Sequence, residues 1–122
     1  MQLLCKAVQE PHSGQTEVGD PFPNLNVGET YIGFAMTVMD ARVWVDILSP
    51  HRYLYPVPLS LFDIQDGSMP ASWICRWHRG MLQLGPPEFF TDFFHDLLSD
   101  GDATTVEIFE STIRRDYPNE QW

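Results

Sequence analysis

The sequence predicts an α+β fold: a small β-barrel or bent antiparallel sheet over residues 1–84, followed by two C-terminal α-helices over residues 85–122. Three observations carry this. Gly, Pro and β-branched residues punctuate short apolar runs in the first part, as in all-β units built from short strands. Ile32, Phe34, Met36 and Val38 alternate with smaller or more polar residues, the period of a strand packed on one face. From Pro86 onward apolar residues recur at helical spacing. With 122 residues the chain is read as one domain, 1–122, since the length supports a single core.

In chain order, Gln2–Val8 reads as a strand, and Gln9–Asn26 as a long polar surface loop rich in Pro, Gly and Asn. Tyr31–Met39 and Arg42–Leu48 form an expected hairpin about a short turn. Tyr53–Tyr55 follows the Ser49-Pro50 break, Pro56 and Pro58 interrupt, and Leu61–Ile64 is another short strand closed by the Asp66-Gly67 turn. Trp73–His78 and Met81–Leu84 flank Arg79-Gly80 as a last hairpin. Pro86-Pro87 suits a helix start. Phe89, Phe90, Phe93, Phe94, Leu97 and Leu98 cover half of one helix, which predicts burial of Phe89, Phe93, Phe94 and Leu97 against the sheet. Gly101 ends that helix and Asp102 caps a second, in which Val106, Phe109, Ile113 and Tyr117 share a face and Glu110–Arg114 is an i,i+4 pair. Pro118 stops it.

Charge narrows the function. Seventeen acids against seven Lys and Arg give a net charge of −10. The excess concentrates in 85–122, where nine acids meet two bases. A surface this negative is repelled by phosphates, so no nucleic-acid partner is expected, and a basic protein partner is. No apolar run is long enough to span a bilayer, so no membrane partner is expected. Met1–Cys5 lacks the charged leader and apolar segment of a lipoprotein signal. Two cysteines, Cys5 and Cys75, make no disulfide framework and fit a cytoplasmic protein.

Some motifs carry a resemblance. A cysteine-bearing first strand, Leu3-Leu4-Cys5-Lys6-Ala7-Val8, is followed by Leu25-Asn26-Val27-Gly28-Glu29-Thr30-Tyr31, in which the glycine lets the chain turn sharply into a strand. Tyr55-Pro56 and Leu61-Phe62-Asp63-Ile64 follow, then Asp66-Gly67 and Trp73, and finally Gly85–Phe89 and Asp100–Asp102. From about residue 3 to residue 110 the chain resembles small SH3-like barrel proteins of bacteria and phages. Within them it resembles the acidic immunity proteins encoded beside interbacterial (polymorphic) toxins. That resemblance implies a protein that binds and neutralises a cognate, basic toxin domain. The alternatives are an SH3-like peptide- or protein-binding adaptor without a toxin and a small carboxylate-dependent enzyme acting through Asp63 or Asp66.

The residues themselves call for no catalysis. Cys5 reads as a small buried core residue. Cys75-x-x-His78, with His51 or His95, makes a poor zinc set, because residues three apart on a strand point to opposite faces and no second ligand pair exists. There is no phosphate loop, nucleophile elbow or dinucleotide fingerprint. No catalytic residue, metal or cofactor is therefore expected. Trp73 and Trp77 are expected to be buried, like most large aromatics. Burial of the Phe-rich face predicts that Glu88, Asp92 and Asp96 face solvent as an acidic strip, extended by Asp100 and Asp102. This strip is the expected partner-binding surface. Tyr53, beside Arg52 in a Pro-flanked loop, is the second candidate contact.

Overall fold

A computed structural model describes residues 1–10 and 21–122. Of the loop expected over Gln9–Asn26, residues 11–20 lie outside the described residues. Its far flank is anchored: Phe22 N–H donates to the Val8 carbonyl at 2.7 Å, Tyr55 Oη donates to the Pro23 carbonyl at 3.0 Å, and Leu25 is buried.

The described residues are α+β, and among them are two antiparallel sheets, two C-terminal helices and no closed barrel. The strands are β1 (Gln2–Cys5), β2 (Thr30–Ile32), β3 (Ala35–Met39), β4 (Arg42–Leu48), β5 (Leu54–Pro58), β6 (Phe62–Asp66), β7 (Ile74–His78) and β8 (Met81–Gly85). The sheet orders are β2-β1-β6 and β5-β4-β3-β8-β7. The helices are α1 (Phe94–Ser99) and α2 (Ala103–Asp116), with 3₁₀ turns at Leu59–Leu61 and Pro87–Phe90.

Two cores result. Leu3, Cys5, Val45, Ile47, Val57 and Leu61 pack between the sheets. Phe34, Leu54, Phe89, Phe94, Phe109 and Ile113 join the helices to the large sheet. The alternating stretch 30–39 is bent rather than one strand. A Cβ at Gly33 would lie 2.8 Å from Val45 Cγ2, so only glycine lets the backbone pass this close where the chain leaves one sheet for the other. The bend divides the expected single apolar face: Phe34 enters the helical core, and Met36 packs against the inter-sheet core. Pro56 and Pro58 lie within β5 instead of interrupting it, because β5 is an edge strand where a missing N–H is tolerated.

The C-terminal part needs the larger correction. The expected helix over Glu88–Leu98 is broken. Thr91 is extended (φ −65°, ψ 140°), Phe93 is left-handed (φ 62°, ψ 17°), and α1 begins only at Phe94. Phe89 and Phe94 stack at 4.9 Å, and Phe89 lies 5.9 Å from Phe109. Phe93 instead stands 74% exposed and Leu97 39% exposed, against the expected burial. Six apolar positions spread over half a helix exceed the stripe one core contact covers, and the break resolves this by turning Phe93 outward. The second helix matches expectation. Asp102 caps it by accepting from Thr105 N–H at 3.0 Å, and Phe109, Ile113 and Tyr117 are buried. Tyr117 Oη donates to the Gly33 carbonyl at 3.1 Å, pinning the end of α2 to the bend in the sheet. Among the described residues, no helix is long and apolar enough to cross a membrane.

Candidate functional site

The register of the large sheet sets one groove. Asp46 on β4 faces the same side as Ala35 and Thr37 on β3, Gln83 on β8, and Arg76 on β7. Residues 89–96 lie over that face, enclosing about 390 Å³. At the β4 end, His95 Nε2 lies 2.9 Å from Asp46 Oδ2. At the β7 end, Arg76 Nε donates to Gln83 Oε1 at 2.8 Å and its Nη1 to the Phe90 carbonyl at 3.3 Å, with the guanidinium 4.5 Å from the Phe90 ring centroid. Arg76 thus fastens the 3₁₀ turn to the sheet. His78 and Arg79 line the same end, while Asp92, Phe93 and Asp96 form the lip.

Electrostatics distinguish these groups. Partial burial disfavours the charged ring of His95, but the Asp46 hydrogen bond and the charges of Asp46 and Asp96 outweigh it, raising the pKa above its ordinary value. An imidazole held by a carboxylate is oriented, and here also biased toward its protonated form. The side chains of Asp92 and Asp96 make no hydrogen bond or ion pair among the described residues, and both residues are exposed.

The five acids expected to form one strip have unlike roles. Glu88 is paired with Arg115, whose Nη1 lies 2.5 Å from Oε1, and this contact holds the Glu88 carboxyl below its usual range. Asp102 is spent on the α2 cap, where hydrogen bonds from the Thr105 hydroxyl and backbone N–H lower its pKa. Asp100 terminates α1 through its backbone N–H to the Asp96 carbonyl at 2.9 Å, and its side chain is exposed outside the groove. Only Asp92 and Asp96 are brought together at the groove. Tyr53 is half-buried, stacked on His51 and edge-on to Tyr55, and packs against the helical core instead of standing free.

The expected burial of Trp77 is overturned, since the side chain is 73% exposed, whereas Trp73 is half-buried. Cys5 is buried beside core side chains, and desolvation pushes its thiol pKa up, while Cys75 is exposed. Cys75 and His78 lie on opposite sides of β7, and among the described residues no three of His, Cys, Asp and Glu are grouped as metal ligands. Sequence reasoning missed Asp46, Arg76 and the outward turn of Phe93, and it weighed His95 only as a metal ligand. For Phe93 a signal existed in the overwide apolar arc. For the others, pairing across 49 residues (Asp46 to His95) has no local signature. In comparisons with models of protein families, with curated proteins and with solved structures, the chain matches none.

Proposed function

We propose that this protein is an immunity protein that binds a cognate, basic toxin domain stoichiometrically and without catalysis, through the lip formed by Asp92, Phe93 and Asp96. The observation that carries the reading is Phe93. A bulky aromatic is held in the left-handed region, which L-residues enter at a cost, and it spends its side chain on solvent. Strain of this kind clusters at binding sites. Aromatic side chains, Phe among them, are enriched at interface cores, and the surrounding rim is polar. The unpaired Asp92 and Asp96 on either side supply complementarity to a basic partner, which speeds encounter and fixes orientation. Asp100 extends the negative field, while Glu88 and Asp102 are occupied within the fold. Two unpaired cysteines suit the cytoplasm, where such a protein would meet an incoming toxin.

An SH3-like barrel is part of the same proposal. Its support is the path of the chain: β6-β1-β2 continues through the Gly33 bend into β3, β4 and β5, and the 3₁₀ turn Leu59–Leu61 returns to β6. The β7–β8 hairpin is then an addition on the free side of β3.

The test is co-expression with the toxin domain encoded by the neighbouring gene. A 1:1 complex and protection of the host cell are expected, and Phe93→Ala, folded to the same extent, is expected to lose both. A neighbouring product that is not toxic but still binds identifies an adaptor and overturns the immunity reading. Full protection by Phe93→Ala removes the lip as the contact.

A further inference from the structure

We infer that the outer edge of β7 takes an extended acidic segment of a partner chain, added as a further strand of the large sheet. Arg76 and Arg79 line the same groove as the Phe93 lip, but the edge itself belongs to β7, and the inference does not depend on the toxin reading. Among the described residues, β7 pairs only with β8. The two-residue turn Arg79-Gly80 has positive φ at both positions, 51° and 77°, so His78 and Met81 are the first mutually bonded pair. Bonded and non-bonded pairs alternate in an antiparallel ladder. Arg76–Gln83 and Ile74–Gly85 are therefore bonded, and the N–H and C=O groups of Cys75 and Trp77 point away from the sheet. Among the described residues, no hydrogen bond outside the β7–β8 ladder reaches them.

Proteins blunt open edges with prolines, charges or short strands. The other three edges here follow that rule: β5 carries Pro56 and Pro58, β6 carries Asp63 and Asp66, and β2 has three residues. β7 has no proline, and its one charged side chain, Arg76, is folded back onto Gln83 and the Phe90 carbonyl instead of guarding the edge. Its side chains also continue the interior outward. On the face away from the groove, Trp77, Leu82, Val38 and Val43 form one cross-strand row. Cys75, Leu84 and Met36 form the next, which runs into buried Val45 and Val57. Both rows end at β7 in exposed side chains.

Charge selects the occupant. There is no Asp or Glu between Asp66 and Glu88, and Arg76 and Arg79 make this hairpin basic in a chain of net charge −10. A second copy paired edge to edge would bring two such basic hairpins together. An acidic strand from another protein complements them. Its residues opposite Cys75 and Trp77 would be apolar, extending the two rows, and the intervening residues, on the Arg76 side, would be acidic.

The experiment is an amide NMR titration of the full chain with the capped peptide Ser-Val-Glu-Val-Glu-Val-Ser. Saturable movement of the Cys75 and Trp77 amide signals is expected, with about tenfold weaker binding when both Glu are replaced by Lys. Cys75→Pro removes an outward N–H and no β8 bond, so it should fold yet lose the peptide. If it does not fold, the same peptide N-methylated at its central Val should fail to bind the unaltered protein. Phe93→Ala should leave peptide binding unchanged. The proposal is overturned if millimolar peptide leaves both amides unmoved or if the Lys peptide binds equally well. A dimer in sedimentation that Cys75→Pro abolishes would overturn it too, because the edge would then pair with its own copy.

Discussion

Phe93 and His95 sit two residues apart and illustrate opposite uses of a side chain. Phe93 holds a backbone conformation that costs an L-residue roughly 1–2 kcal/mol, while the residue stands 74% exposed. Glycine adopts the same conformation freely. Phe93→Gly is therefore expected to raise the unfolding free energy by about 1 kcal/mol in urea denaturation while weakening toxin binding. Loss of stability in that variant would mean that the exposed ring packs on something. His95 gives its ring to the fold. Its pKa is raised above the 6.5 of a free histidine because Asp46 and Asp96 outweigh the cost of burial. The folded state thus favours the protonated ring. This contribution is complete below the unfolded value and fades as pH rises through the folded one. Unfolding free energies measured from roughly pH 5 to 8 should show a decline that His95→Gln flattens. An unchanged slope would remove the His95–Asp46 pair from the stability of the groove.

At the scale of elements, the segment between β8 and α2 decides what the molecule presents. Its two inward rings, Phe89 and Phe94, stack beside Phe109 and close the helical core. Truncating Phe94 to Ala should cost roughly 3–5 kcal/mol, and Phe93→Ala, whose ring lies in solvent, less than about 0.5 kcal/mol. Equal losses by thermal or urea unfolding would restore the unbroken helix. The β3–β4 hairpin offers a second check. Asp40 and Ala41 both have positive φ, 53° and 59°, the geometry for which Asn-Gly is preferred. Ala41→Gly should accordingly stabilise by about 1 kcal/mol. Both hairpins and α2 were legible in the sequence, because alternation, turn residues and an Asp cap are local signals. The break at Thr91–Phe93 was not. Local periodicity favours continuing the helix, and only the finite width of the core beneath it forces the chain to stop.

Across the whole molecule, charge is partitioned. Acids dominate 85–122, while the β7–β8 hairpin is basic. A partner held at the Asp92–Asp96 lip should bind with a strong salt dependence, since exposed charges are screened within about 8 Å at physiological ionic strength. The double reversal Asp92→Lys with Asp96→Lys should slow association with a basic toxin domain and weaken its dependence on salt, measured by surface binding kinetics at several salt concentrations. Unchanged kinetics in that folded variant would move the interface away from the lip.

Composition and period alone determined that this chain is α+β, with a strand-rich first part and an acidic helical second part. Those properties sum over residues or repeat along short stretches, so no long-range contact is needed to read them. The tertiary structure alone decided which acids remain available. Glu88 met Arg115 from another element, Asp102 went to its own helix, and Asp92 and Asp96 were left beside an outward Phe93. The same holds for Trp77, whose strand became the last in its sheet. Whether a side chain is buried depends on what arrives opposite it from distant parts of the chain, and β7, which has no proline, does not mark its place at the edge in its own sequence.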